Sequence, residues 1–354
     1  MRILLAGGGS GGSTTPVLAV AEELRAREPT VALLYVGTSY GPEGRLARTE
    51  RIPYASISAG KLRRYWSVEN ALDGFRVLLG VIQSLRLIRR FRPDVALGAG
   101  GFASVPPLLA TALLRVPILI HQQDVVPGLA NRLLVPFASR ITVSMPQTLG
   151  AFPKGKTVLR GNPVRARVLA GEAQHARVRL SLEEGVPLVL VTGGGTGALR
   201  LNEIVAEAAP DLARFCQVLH LSGRGRGVPA PPLGSRYQQH EFLVDEMPHA
   251  LAAAGLVITR AGMATLSELA ALAKPAVVVP MPASHQEPNA AAFAEKGAAL
   301  VLDERTLTPS KLVATTRLLL DSPERSQALA RAIGEIMPRD AAARLAHDLT
   351  ELAR

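Results

Sequence analysis

The sequence predicts an α/β protein built from two Rossmann-like domains, each a parallel sheet flanked by helices. Three observations carry that prediction. At 354 residues the chain exceeds the size at which a single core stops growing. Short β-rich runs alternate with longer helical patterns, the rhythm of βαβ units, and the series occurs twice. Each half also opens on the same event, a strand running into a glycine-rich turn and then a helix: "LLAGGGSGGSTTPVLAVAEEL" and, with Gly193 lying 186 residues after Gly7, "LVLVTGGGTGALRLNEIVAEAA".

Taken in order, the first half offers strands in "RILLA", "VALLYVG", "DVALGAG", "PILIHQQ" and "RITVSM". The segment "AFPKGKTVLRGNPVR" breaks periodicity with Pro, Gly and basic residues, as a linker does. The second half continues with "LVLVTGG", "QVLHLSG", "LVITRAG" and "AVVVPM". Domains are therefore expected at 1–160 and 161–336. The closing helical stretch, about 337–354, has no strand left to cover and is expected to pack back on the first domain.

Composition narrows the function. Hydrophobic residues make up 48% and aromatics 4%, so Ala, Leu and Val must fill helix-on-sheet layers. The net charge of +11 suits an anionic partner. Its basic residues are dispersed, without the runs or aromatic signatures of RNA or DNA readers, so no nucleic acid is expected. Cys216 is the single cysteine, which rules out disulfides within the chain and suits a reducing compartment. The N-terminus runs straight into "RILLAGGG" without the apolar region of a signal peptide. Residues 95–114 carry one charge-free run, yet "GAGG" and "VPP" interrupt it, so any membrane is met from the side.

Gly7, Gly9 and Gly12 fit G-x-G-x-x-G, and Gly193, Gly195 and Ala198 its looser form. Such turns let backbone amides approach phosphate oxygens at the positive end of a helix. A nicotinamide site would need an acid at the end of the second strand, and none comes before Glu43. A P-loop would need Gly-Lys-Ser/Thr directly after the glycines, and neither loop has it; no Asp-x-Asp pair, the common device for holding a metal on a nucleotide sugar, occurs either, so no metal and no cofactor are expected. A diphosphate would then rest on amides, helix ends and arginine. Arg165 in "GNPVR" offers a forked guanidinium. Glu268 in "TRAGMATLSELAAL" could accept from ribose hydroxyls, and His285, Gln286 and Asn289 in "PASHQEPNAAAF" follow another strand end. Residues 60–93 mix a Tyr-Trp pair, an apolar helical pattern and Arg86, Arg89, Arg90 and Arg92, which suits an anionic lipid surface with Trp66 at the interface.

In register through nearly the whole chain, "GGGSGGSTTPVLAVAEEL", "GTSYGPEGRL", "RPDVALGAGGFASVPPLLAT", "HQQDVVPGLANRLL", "GNPVR", "GGGTGALRLN", "TRAGMATLSELAAL" and "HQEPNAAAFAEKGAA" resemble the MurG family of N-acetylglucosaminyltransferases, two-domain enzymes of the GT-B fold. The resemblance implies inverting transfer of N-acetylglucosamine from UDP-N-acetylglucosamine to the 4-hydroxyl of a lipid-linked N-acetylmuramyl-pentapeptide, at the cytoplasmic face of the bacterial membrane. It implies a donor site in the second domain: the backbone around Leu243 for uracil, Glu268 for ribose, Arg165 with the Ala264–Thr265 helix start for diphosphate, Gln286 for the sugar, and Gly195 and Thr196 in the glycine loop. The acceptor would meet the loops at Gly11, Gly12 and Ser13 and at Gly100 and Gly101, with Asp124 beside them.

Departures from the family pattern bear on catalysis. Ser13 stands where the family's first loop carries His, and a serine cannot act alone as a base near neutral pH. The family's His-Glu-Gln-Asn reads His121-Gln122-Gln123-Asp124 here. Asp124 is thus the expected proton acceptor, with His121 as the second candidate. Two other readings stay open on sequence: a relative that binds nucleotide sugar or lipid precursor without turnover, and another UDP-sugar enzyme on the same scaffold.

Overall fold

Strand β1, Arg2–Ala6, shows how the first unit is layered. Its side chains alternate, as a pleated backbone requires. Ile3 and Leu5 join one core with Val17, Leu18 and Val20, while Leu4 and Ala6 join a second core with Ile88, Leu108 and Leu134 on the opposite face. The computed structural model describes every residue except Ser10, 61–67, Thr196, Ala230 and Pro231, and of 68–72 the backbone only. Trp66, expected at a lipid interface, and Thr196, expected at the donor, thus lie outside the described residues.

After β1 come β2 (Ala32–Gly37), β3 (Tyr54–Ser56), β4 (Val95–Gly98), β5 (Ile118–Gln122), β6 (Arg140–Val143) and β7 (Thr157–Leu159). They form a parallel sheet in the order β3-β2-β1-β4-β5-β6-β7. Its helices are α1 (Gly11–Arg27), α2 (Glu43–Thr49), α3 (Val68–Phe91), α4 (Val105–Leu113) and α5 (Leu129–Leu134). The compact unit comprises Met1–Arg165 with Pro338–Arg354. Strand β7 falls inside the segment that reads as a linker: Ile141, Thr142 and Val143 of β6 pair with Thr157, Val158 and Leu159.

The second unit, Ala166–Met337, repeats the plan. Its strands β8 (Leu188–Thr192), β9 (Gln217–Leu221), β10 (Tyr237–His240), β11 (Leu256–Thr259), β12 (Ala276–Val278) and β13 (Leu300–Val301) are parallel in the order β10-β9-β8-β11-β12-β13. Its helices are α6 (Ala166–Leu169), α7 (Ala173–Arg179), α8 (Leu199–Leu212), α9 (Met247–Ala253), α10 (Met263–Ala271), α11 (Gln286–Glu295), α12 (Pro309–Leu320) and α13 (Pro323–Glu335). The last helix, α14 (Ala341–Leu352), belongs to the first unit, where Leu345, Ala346 and Leu349 enter the core built by α1. Buried Asp348 accepts from Arg160 at 2.9 Å and Arg140 at 2.7 Å, pinning α14 to β6 and β7.

The strand order positions the sites. Connections leave β1 and β4 in opposite directions, as they do β8 and β11, so a crevice opens beyond their carboxyl ends. Register brings the loop ends level: Ala6 sits beside Gly98, and Thr192 beside Thr259.

Candidate active site

In the first unit the glycine turn after β1 is held from below by a residue that sequence inspection did not single out. Glu43, at the start of α2, is 0% exposed. Its Oε1 accepts from the Thr38 amide at 2.9 Å and the Thr38 hydroxyl at 2.6 Å, and its Oε2 from the Gly9 amide at 3.3 Å. A Cβ on Gly8 would lie 2.5 Å from the Glu43 carboxyl carbon, and one on Gly9 2.3 Å from the Phe102 ring, with φ at +148° and +85°. Only glycine meets both demands. The bare backbone is therefore shaped largely by the protein's own side chains, a buried carboxyl group and an aromatic ring. Tyr35 donates to the Gly7 carbonyl at 3.1 Å and Tyr54 to that of Thr38 at 2.5 Å. Burial, with Glu43 adding to it, raises both phenols far above their usual range, so both keep the protons they donate.

The loop after β4 packs directly on this one. A Cβ on Gly101 would stand 2.0 Å from the Gly8 carbonyl oxygen and 3.1 Å from Ser13 Oγ. Ser13 Oγ donates to the Gly8 carbonyl at 3.2 Å, and its residue is buried. Ser13 thus closes the first glycine loop on itself, with the Gly101 backbone lying against it. Gly11 differs from these glycines: among the described residues nothing lies within 4 Å of where its Cβ would stand, at the opening of α1. Space there is not required by packing.

The loop after β5 completes the strand-end cluster. Gln122 donates to the carbonyls of Asp124 at 2.8 Å and Val126 at 3.3 Å. Gln123 reaches the Ala99 carbonyl at 3.2 Å, and Thr148 that of Val125 at 3.2 Å. Asn131 donates to the His121 carbonyl and to Gln122 Oε1, and its buried Oδ1, beside Gly100, has no hydrogen-bond partner among the described residues. Asp124 itself is half-buried at the edge of this scaffold. Sequence-expected Gly11, Ser13, Gly100, Gly101 and Asp124 are thus brought to neighbouring strand ends.

His121 takes another role than the expected one. It is 1% exposed, with Nδ1 2.9 Å from Thr142 Oγ1 and Nε2 2.8 Å from Asn162 Oδ1. Burial lowers its pKa from 6.5 to about 4, so the ring is neutral near pH 7 and both nitrogens are engaged. It braces β5 against β6 rather than facing a reacting hydroxyl. Arg165 also has other partners than the expected phosphate. Its guanidinium, 4% exposed, donates from Nε to Glu22 at 2.6 Å and pairs through Nη2 with Glu22 and Glu50. Two carboxylates compensate this buried cation and tie α1 and α2 to the chain leaving β7.

In the second unit α10 begins at Gly262 without any side-chain cap. The uncapped first-turn amides and the helix dipole favour an anion there. Ala264 and Thr265 lie half-buried in that turn, and half-buried Glu268 one turn further along. Gln286 opens α11; its Oε1 accepts from the Met281 amide at 3.0 Å, which aims the amide's NH2 group away from the backbone. Asn289 donates to the Ala261 carbonyl at 3.1 Å, fixing α11 against the turn that launches α10. Arg260 reaches the Val279 and Pro280 carbonyls and pairs with Glu304, stiffening the same strand ends. Gly195, like Gly11, has nothing among the described residues within 4 Å of a Cβ position. Leu243 is half-buried in the β10–α9 loop. Behind it, His220 bonds Tyr237 at 2.7 Å and Asn202 at 3.0 Å, and Asn202 holds the carbonyls of Ser222 and Arg226. Among the described residues no group of three or more His, Cys, Asp or Glu could hold a metal ion.

Kinship agrees with this geometry. Residues 3–143 match the glycosyltransferase family 28 N-terminal domain and 188–345 its C-terminal domain. The chain is 37% identical over 325 residues, 91% of each chain, to the UDP-N-acetylglucosamine–N-acetylmuramyl-(pentapeptide) pyrophosphoryl-undecaprenol N-acetylglucosamine transferase of Lachnoclostridium phytofermentans. It is 38% identical over 322 residues, 90% of each, to the protein of the same name from Lachnospira eligens. Its fold matches the crystal structure of Acinetobacter baumannii MurG with a TM-score of 0.73 over 99% of both chains, at 25% identity. Both halves and their order thus coincide with one group, and the chain belongs to glycosyltransferase family 28, among the MurG enzymes.

Proposed function

We propose that this glycosyltransferase moves N-acetylglucosamine from UDP-N-acetylglucosamine to the 4-hydroxyl of an undecaprenyl-diphosphate-linked N-acetylmuramyl-pentapeptide, with inversion, the step that yields the disaccharide-linked precursor of peptidoglycan. The observation that carries the reading is identity of 37% along 91% of the chain to a transferase named for that reaction. The two units take different substrates: Gly11, Gly12, Gly100 and Gly101 the acceptor diphosphate, and Ala264, Thr265, Glu268, Gln286, Leu243 and Gly195 the donor. Thr196, beside Gly195, belongs to the same loop by resemblance. Uncapped α10 receives the donor diphosphate as charge builds on departing UDP. With the Arg165 guanidinium already compensated by Glu22 and Glu50, its part is to fix the end of the first unit.

Asp124 accepts the proton of the attacking hydroxyl. Ser13 donates to a carbonyl, and His121 is buried with both ring nitrogens hydrogen-bonded, to Thr142 and Asn162, so neither presents a base to the acceptor. A base contributes about 10²–10⁴-fold, whereas alignment of two substrates supplies roughly 7–11 kcal/mol, so positioning dominates the rate. Titration calorimetry with UDP-N-acetylglucosamine tests the donor half. Binding that survives Gly195→Ala and Glu268→Ala unchanged contradicts the assignment, and binding without any product in the transfer assay favours a carrier over an enzyme.

The lipid-linked substrate also needs a membrane. Among the described residues no helix is long and apolar enough to cross one. On α3, Phe75, Leu78, Leu79 and Ile82 follow helical spacing yet face solvent, Phe75 at 67% and Leu78 at 58%. Exposed Arg86, Arg89 and Arg90 continue along the helix. That sequence of apolar then cationic turns suits peripheral seating on anionic lipid at the cytoplasmic face of the membrane.

A further inference from the structure

A cavity of about 480 Å³ opens in the first unit beyond β2 and β3, lined by Ser39, Tyr40, Ser56, Ser58, Arg76 and Gln83 among others. It adjoins the glycine loops: the Tyr40 ring stacks on Phe102 at 6.5 Å, and Phe102 is the ring that covers Gly9. Its lining is rich in donors. Gln83 Oε1 accepts from the Ser58 amide at 2.7 Å, which leaves its NH2 group as the outward end. The Ser39, Ser56 and Ser58 hydroxyls make no hydrogen bond among the described residues, and the Tyr40 hydroxyl donates to the Ala59 carbonyl at 3.3 Å. Among the described lining residues Arg76 is the one cation. Its Nη1 meets Asp73 at 3.0 Å, but Asp73 is almost wholly buried while the Arg76 side chain is 59% exposed, so the cavity meets the guanidinium rather than the carboxylate.

Donors surrounding a single cation select acceptors, and a carboxylate at the end of a chain of amide carbonyls offers both. We propose that this cavity is the subsite for the acceptor's peptide, with Arg76 and Gln83 taking a peptide carboxylate and the serine hydroxyls the carbonyls before it. The inference rests on the proposed acceptor and assigns the part of it that lies away from the diphosphate. The volume falls within the range of small-ligand sites, enough for a short length of peptide.

The test compares two acceptors, one with free peptide carboxylates and one with those carboxylates amidated, in wild type, Arg76→Met, Arg76→Lys and Ser58→Ala. Arg76→Met is expected to raise KM about tenfold for the free-carboxylate acceptor and to leave the amidated one unchanged, with no effect on the KM of UDP-N-acetylglucosamine. Arg76→Lys, which keeps a cation beside Asp73, restores most of the loss. Ser58→Ala, which leaves that pair untouched, raises the acceptor KM by a smaller factor. Equal KM in wild type and Arg76→Met, or an equal rise for both acceptors, overturns the subsite. Absence of transfer by wild type to either acceptor would overturn the proposed function instead. In that case direct binding of the lipid-linked acceptor in detergent micelles decides the subsite, by whether Arg76→Met weakens it.

Discussion

Replacing Glu43 by Gln probes the support of the acceptor loop with the smallest change of shape. The side chain is wholly buried and accepts three hydrogen bonds, two from Thr38 and one from the Gly9 amide. Glutamine oriented to keep both Thr38 bonds must turn its NH2 group toward the Gly9 N–H, so one bond is lost and two donors face each other. Leaving a buried donor unsatisfied costs about 1–3 kcal/mol. In a domain of this size, each kcal/mol lowers the melting temperature by about 2–4 °C. Glu43→Ala removes all three acceptors and opens a space under Gly8, and about 3–5 kcal/mol is expected. Because Gly9 lies on the acceptor loop, Glu43→Gln should also raise the acceptor KM several-fold with little change for the donor. Thermal melting and steady-state kinetics on the same preparations check both arms. A Gln variant with unchanged melting temperature and acceptor KM refutes the claim that this carboxyl group shapes the loop.

Four further outcomes follow from the same structure. Asp124→Asn should lower kcat by about 10²–10⁴-fold, against less than about tenfold for Ser13→Ala, measured by single-turnover transfer; equal losses would contradict the assignment of the proton acceptor. Gly11→Ala and Gly195→Ala should leave stability intact, since each position is open, while raising KM for acceptor and donor respectively; Gly101→Ala, pressed on the Gly8 carbonyl, should instead destabilise. Buried His121 and His220, both lowered from 6.5 to about 4, bind protons more readily when unfolded, so their stabilisation is complete above pH 6.5 and is lost as pH falls toward 4. At pH 5 each should have lost about 2 kcal/mol, and denaturant curves that coincide at pH 7.5 and 5 would exclude this. Phe75→Ser with Leu78→Ser should release the protein from acidic liposomes, as flotation would show, without altering its melting curve.

The nine strands legible in the sequence all lie between the sheet edges and carry three or more apolar or β-branched residues. The four that escaped, β3, β7, β10 and β13, lie at or next to sheet edges and span two to four residues. Strand β7 hid between Pro153 and Gly161 because turn residues crowd three strand positions. The glycine turns were visible as strand-to-helix loops, but the reason for their bareness was not: it depends on Glu43 and Phe102, distant in sequence, whose burial no local pattern announces. A lone Glu at a helix start reads as an ordinary surface residue. His121 misled for the converse reason, since chemistry suggested a base where tertiary packing had enclosed the ring between Thr142 and Asn162. Arg165, expected at a diphosphate, pairs with carboxylates that lie 143 residues and 115 residues earlier, at Glu22 and Glu50, which no local pattern announces.

The central claim, sugar transfer to a lipid-linked acceptor, is tested most directly by incubating the purified protein with radiolabelled UDP-N-acetylglucosamine and undecaprenyl-diphosphate-linked N-acetylmuramyl-pentapeptide in detergent. Label is expected in the lipid fraction, at a rate that falls at least a hundredfold in Asp124→Asn. Label that stays in the water-soluble nucleotide sugar, although the protein binds both substrates, would contradict it.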